Sequence, residues 1–318
     1  MEKHERVTQS SNARRLVSVV VPIYSKSVLV LQTIESVREQ TFQNIEVILV
    51  IDGQFPVNVD KHSIIGLADL VLELPQSGVS VARNAGFIAG RGDYYLFLDH
   101  DDILHPQMVS SLIAVMENDT SLSACACGII QFSGSSPEFD FLQCDDSLTY
   151  VGPHASVLEA AKSVGDKFIV PSSLVYRRTA FDKIGLFDPY YPFSGDFELL
   201  IRCVHNSRIG LLSRSLLFYR THSNNYSKQY ITGLKETILL CKRLSLLALS
   251  CHENTGWSVF RQYVGATKLV FSHQAFDAAR VCIRERQYID AVRHLVASFR
   301  LSHIPLLKAL ISRFRYKS

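Results

Sequence analysis

The sequence predicts an α/β protein: a mostly parallel sheet flanked by helices, followed by a helical C-terminal extension. Three observations carry this expectation. Short β-branched apolar runs alternate with segments of helical period from Leu16 to Phe132, the pattern of strands joined by crossover helices. Asp52 and Asp99 each stand at the carboxyl end of such a run, where α/β sheets bind their ligands. Beyond Ser227 the apolar residues keep a mainly helical spacing to the end of the chain.

The elements follow in order. Leu16 to Ile23 (LVSVVVPI) is a buried strand by its β-branched content. Val30, Ile34 and Val37 recur at helical spacing, and Ile45 to Ile51 (IEVILVI) is a second strand closed by the turn pair Asp52-Gly53. Asp69 to Leu74 is a weaker third strand, and the Ala- and Gly-rich Val79 to Gly90 is a closely packed helix. Tyr94 to Leu98 (YYLFL) is another buried strand, with Asp99-His100-Asp101-Asp102 directly after it. Pro106 suits the first turn of a helix, whose buried face carries Val109, Leu112, Ile113 and Met116. Ser123 to Phe132 reads as a strand, Gly134 to Gly152 as a polar loop and Phe168 to Arg177 as a strand again. A helix is expected from about Asp196 to His205, then an extended segment from Ile209 to Arg220.

Composition narrows the function. The chain has 318 residues, 47% hydrophobic and 20% charged, enough for a proper core. The formal net charge of +3 gives no case for nucleic-acid binding. The charge is uneven: Arg284 to Ser318 holds 8 Lys and Arg against 2 Asp and Glu, leaving 25 against 28 elsewhere. That basic end is amphipathic, with Leu307, Leu310, Ile311 and Phe314 on one stripe among Lys308, Arg313, Arg315 and Lys317. Two readings fit it: docking on the domain, or peripheral contact with the anionic inner face of a membrane. Seven cysteines, odd in number and without a C-x-x-C pair, indicate neither a disulfide framework nor a zinc site and suit a reducing cytoplasm. Met1 to Arg15 is polar and lacks the apolar run of a signal peptide. No uncharged apolar stretch reaches the ~18 residues of a spanning helix.

Asp99, Asp101 and Asp102 place three carboxylates within four residues. Their mutual repulsion is relieved by a hard divalent cation such as Mg²⁺ or Mn²⁺. The plainer alternative is a solvated loop whose aspartates cap the helix near Pro106. An EF-hand does not fit, because Ile103 stands where another oxygen ligand belongs. Asp52 is either a turn residue before Gly53 or an acceptor for a base or ribose. Arg83 suits a phosphate or a structural ion pair, and Asp196 a helix cap or a catalytic carboxylate.

The ordered set V-V-V-P-I-Y (19–24), V-I-D-G (50–53), A-R-N-A-G (82–86) and G-D-Y-Y-L-F-L-D-H-D-D (92–102) resembles family 2 glycosyltransferases of the GT-A fold. G-L-F-D (185–188) with G-D-F-E-L-L-I-R (195–202) resembles that family's acceptor-side motif, and Y-R-T-H-S-N-N-Y-S (219–227) its closing Arg-x-His segment. The resemblance covers about residues 16–227. It implies a GT-A domain there, between a polar tail (1–15) and a helical extension (228–318). It places Pro22, Tyr24, Asp52, Arg83 and Asp99 at the nucleotide-sugar, with Asp52 toward the base. Asp99 and Asp101 match the DxD pair, Asp101 being the preferred ligand of Mn²⁺ or Mg²⁺, and His222 matches a histidine that completes the metal or diphosphate site. Asp196 matches the general base. Two departures stand out: Ile51-Asp52 replaces the usual Asp-Asp, and Gly195-Asp196 the frequent Glu-Asp.

The resemblance implies a metal-dependent, inverting transferase of hexosyltransferase type. Its donor is a nucleotide-sugar, UDP-linked by preference, its acceptor a glycan or lipid-linked hydroxyl, and its setting cell-surface polysaccharide synthesis. Two rivals remain. A nucleotidyltransferase needs a basic Gly-rich phosphate loop after the first strand, and Pro22-Ile23-Tyr24-Ser25-Lys26 offers none. A non-catalytic sugar-nucleotide binding or scaffold protein would have no use for Asp196.

Overall fold

The computed structural model describes residues 15–24, 29–54, 61–134, 137, 145–165, 167, 169–222, 235–240 and 243–244. The chain forms two compact units: 1–155 with 159–222, and 156–158 with 223–318. Every candidate site residue lies in the first unit. The polar tail at 1–14, most of the helical extension and the basic amphipathic end fall outside the described residues. Among the described residues no helix is long and apolar enough to cross a membrane.

In chain order the elements begin with β1 (Val17–Ile23), α1 (Val30–Arg38), β2 (Ile45–Asp52), α2 (Lys61–Ile65), β3 (Leu70–Leu74), α3 (Val79–Ala89) and β4 (Tyr94–Phe97). They continue with β5 (Ile103–Leu104), α4 (Met108–Asn118), β6 (Leu122–Phe132), β7 (Leu148–Val151), α5 (Val157–Gly165), β8 (Leu174–Arg177), α6 (Phe181–Ile184), α7 (Gly195–Asn206) and β9 (Arg208–Arg220). Among the described residues nine strands make one sheet, in the order β3-β2-β1-β4-β8-β6-β9-β5, with β7 also on β9. The first four strands are parallel, as their unbroken apolar runs require of strands covered on both faces. The other half mixes directions: β8 lies antiparallel between β4 and β6, while β9 is parallel to β6.

Register decides where the site forms. Ile23 of β1 pairs with Ile51 of β2, and Asp52 with Leu74 of β3. Val20 pairs with Phe97, and the Leu98 amide still donates to the Val20 carbonyl at 2.9 Å. The chain therefore leaves β1, β2 and β4 at one sheet edge, bringing Tyr24, Asp52 and Asp99 there together.

Helices cover both faces. On one, Val19, Val21, Val47, Leu49 and Leu96 join a core with Val30, Ile34 and Val37 of α1 and with Val109, Leu112, Ile113 and Met116 of α4. On the other, Gly86 lets α3 come so close that a Cβ there would lie 2.3 Å from Val20 Cγ1. Beside it Phe87, Tyr95, Phe97, Phe181 and Phe187 form an aromatic cluster with centroids 4.5–6.5 Å apart.

Two expectations need correction. The strand expected from Phe168 to Arg177 begins only at Leu174, because Pro171–Ser173 is a 3₁₀ turn. Proline has no amide hydrogen for a ladder, and Ser173 Oγ donates back to the Val170 carbonyl at 2.8 Å. The expected loop from Gly134 to Gly152 contains β7, whose exposed Thr149 and Tyr150 disguised a short edge strand.

Candidate active site

The acidic segment is held from three directions. The Asp99 amide donates to Ser172 Oγ (3.1 Å), a hydroxyl delivered by the 3₁₀ turn. Arg83, from α3, donates through Nη2 to Asp99 Oδ1 at 2.6 Å, and its guanidinium lies 5.2 Å from the centroid of the Phe187 ring. Asp101 Oδ2 is 2.8 Å from His222 Nε2, two residues past the end of β9. Burial alone would raise the Asp101 carboxyl. The hydrogen bond from His222 and the nearby His100 and His222 imidazoles outweigh it and hold the group below its ordinary value.

Asp102 faces inward. It is fully buried, and its Oδ1 accepts the Arg220 amide at 3.1 Å. Burial, with the neighbouring Asp101 and Asp99 charges, pushes its pKa well up, and its contact with the Arg220 amide makes it an internal support for the segment. Arg220 grips the same segment with its side chain, Nε donating to the Asp101 carbonyl (2.9 Å) and Nη2 to Gln32 Oε1 (2.8 Å). Its guanidinium also stacks on Phe132 and donates to the Gly134 carbonyl. This binds β9 to the acidic segment and delivers His222 to Asp101.

Asp52 is buried at the end of β2. Its two carboxylate oxygens accept the amides of Ser77 (2.5 Å) and Gly78 (2.8 Å), which orders the turn into α3. Each oxygen keeps a further lone pair. Gly53 behind it has φ 95°, the left-handed conformation glycine adopts without strain. Tyr24 stands half-exposed with its ring edge-on to buried His100, centroids 4.7 Å apart, and His100 is hydrogen-bonded to the Pro22 backbone.

Asp196 is the second residue of α7, after the capping position Ser194. The carboxylate accepts the Phe197 amide (2.8 Å) in the first turn, where the helix dipole favours negative charge. Burial raises its pKa, and the positive charge of Arg83 opposes the rise. Gly195 sits where a Cβ would crowd Ser80 Oγ of α3 at 3.0 Å, so the missing acidic neighbour reflects close contact between the starts of two helices.

The model of glycosyl transferase family 2 matches residues 18–185, more than half of the chain. The chain belongs to glycosyl transferase family 2. The uncharacterized glycosyltransferase of Rickettsia typhi is 26% identical over 228 residues, covering 70% of this chain and 69% of that protein. EpsJ of Bacillus subtilis, also an uncharacterized glycosyltransferase, is 28% identical over 229 residues, covering 67% and 63%. The Rickettsia felis relative is 24% identical over 67% of this chain and only 35% of its own length. The chain thus spans 69%, 63% and 35% of the length of these three relatives. Among solved structures, S. aureus TarS 1-349 in complex with UDP-GlcNAc superposes with a TM-score of 0.59 at 17% identity, covering 89% of this chain and 81% of that one. That likeness establishes a shared GT-A fold.

The family match ends before Asp196 and His222, so their place in this family 2 chain rests on geometry. The structure brings His222 to Asp101 and Arg83 to Asp99. The second contact turns Asp99 toward an arginine. Among the described residues no group of three or more His, Cys, Asp and Glu converges as a metal cage. The Asp101 carboxylate and the His222 imidazole lie close enough to supply two donors to a divalent ion that replaces the hydrogen between them, which leaves the ion open to substrate phosphates, so these residues fit such an ion. Three site-forming residues escaped the sequence reading. Arg220 had a signal, the Arg-x-His segment, but no role attached to it. Asn84 likewise stood in the A-R-N-A-G motif with no role attached, its partner lying 103 residues away, and Ser172 had no signal, its partner lying 73 residues away.

Proposed function

We propose that this family 2 chain is an inverting, metal-dependent glycosyltransferase. It moves a sugar from a UDP-linked donor to the hydroxyl of a glycan or lipid-linked acceptor in cell-surface glycan synthesis. The observation that carries the reading is the convergence at one sheet edge of the Asp101–His222 pair, the Arg83–Asp99 pair and the partly buried base candidate Asp196. The TarS complex with UDP-GlcNAc supports the choice of nucleotide.

Asp101 and His222 would hold Mn²⁺ or Mg²⁺, and the bound ion supplies Lewis-acid charge to the leaving diphosphate. Asp99, fixed by Arg83, faces the nucleotide beside Asp52, Pro22 and Tyr24. Asp196 accepts the acceptor's hydroxyl proton as that oxygen bonds to the anomeric carbon. The bond from the anomeric carbon to the diphosphate oxygen breaks on the opposite face, and the anomeric configuration inverts. A carboxylate is a weak base toward a free alcohol, so proton transfer runs late and Asp196's position matters more than its basicity.

A panel of UDP-, GDP- and dTDP-sugars with Mn²⁺ or Mg²⁺ tests this directly. Metal-dependent release of the nucleoside diphosphate from at least one UDP-sugar is the expected result. Silence across the panel, with sugar acceptors present, would falsify the reading.

A further inference from the structure

Asn84 is the residue after Arg83 on α3, and it reaches in a different direction. Its Nδ2 donates to the Phe187 carbonyl at 2.8 Å, and the Phe187 amide donates to its Oδ1 at 3.0 Å. One side-chain amide thus takes up both backbone polar groups of a residue 103 positions along the chain. Such two-point pairing fixes a turn in both displacement and rotation. The turn so held leads straight to the base candidate. The Asp188 carbonyl lies 3.7 Å from where a Cβ of Gly195 would stand, directly before Asp196. From the far side Arg202 of α7 donates to the Leu186 carbonyl at 2.7 Å and pairs with Glu198 at 2.6 Å. Both α3 and α7 therefore grip the turn, while α3 also grips the donor-side carboxylate Asp99 through Arg83.

We propose that Asn84 is a positioning residue that sets the spacing between Asp99 on the donor side and Asp196 on the acceptor side. The role rests on the glycosyl-transfer reading above. Both side-chain hydrogen bonds of Asn84 go to the Phe187 backbone, so it acts through the turn. Aspartate is the informative replacement: it keeps the shape and the acceptor but sets a carboxylate oxygen against the Phe187 carbonyl. A displacement of about 1 Å at a reacting centre can cost on the order of a hundredfold in rate.

The experiment compares full-length wild type, Asn84→Ala and Asn84→Asp. Melting temperature and the dissociation constant for UDP with Mn²⁺ are measured alongside kcat and donor KM for transfer from the donor that the panel selects. In both variants kcat is expected to fall between about ten- and a hundredfold, with the UDP dissociation constant and donor KM within about threefold of wild type. If Asn84→Ala does not fold, the isosteric Asn84→Asp carries the test alone. A folded variant with wild-type kcat overturns the proposal. So does loss of UDP affinity in step with kcat, which marks a donor-site role, and so does failure of both variants to fold. A wild type that transfers no sugar from any donor instead removes the transfer reading, and the positioning role with it.

Discussion

At the scale of single residues, the carboxyl groups of the candidate site are set apart by their surroundings. Asp101 has an imidazole beside it that holds its carboxyl below the ordinary value, whereas burial pushes Asp102, one residue on, well above it. Asp196 is raised by burial and must be ionised to act as a base. As pH falls it is protonated earlier than an ordinary carboxylate. The acid limb of kcat against pH should therefore lie above the usual aspartate value of about 4. Asp196→Asn should keep its melting temperature and lose about 10²- to 10⁴-fold in kcat; a variant with near wild-type turnover would end the base assignment. For Asp102 the linkage has the opposite consequence from a salt-bridged aspartate. Its folded-state pKa is raised, so its contribution to stability is present below the unfolded pKa and is lost as pH rises toward the folded one. Asn at this position is neutral throughout and keeps the acceptor for the Arg220 amide. Asp102→Asn should therefore gain stability relative to wild type as pH rises, read from urea unfolding at several pH values.

Elements owe their places to contacts that composition only partly announces. The apolar runs of β1, β2 and β4 were legible because strands covered on both faces have no polar side to show. The 3₁₀ turn at Pro171–Ser173 was not, since the apolar residues around it read as a continuous strand. The helix α3 was legible by its small residues, and the structure gives the reason. At Gly86 any side chain must displace Val20 in the middle of the sheet. Gly86→Ala should destabilise the fold by about 1–3 kcal/mol through overpacking, measured as a lowered urea midpoint with unchanged slope. Because α3 carries Arg83 and Asn84, the same variant should lower transfer activity at temperatures where it remains folded.

On the scale of the whole molecule, the first unit is half parallel sheet and half mixed sheet, and the site lies where the two meet. The parallel half brings Tyr24, Asp52 and Asp99 to one edge by register. The mixed half brings Ser172 to Asp99 and both Arg220 and His222 to Asp101, His222 from 121 residues away. A ligand bound across that junction stabilises only the folded arrangement. UDP with Mn²⁺ at about 100 times its dissociation constant should add about 2.7 kcal/mol and raise the melting temperature. Chelating the metal should reduce that shift. A melting temperature insensitive to UDP and Mn²⁺ together would count against a nucleotide site there.

The sequence by itself determined the strand cores, the carboxyl-end aspartates and the family, because buried strands, turn glycines and motif order are local properties. It also located the acidic segment, and the family resemblance favoured a ligand-binding role over a helix cap there. Tertiary structure decided how its members divide: Asp99 pairs with Arg83, Asp101 with His222, and Asp102 supports Arg220 from within. It also decided that the Asn84 amide takes up both backbone polar groups of Phe187. Those partners come from distant parts of the chain, and a side chain's hydrogen bonds depend on what the fold sets beside it.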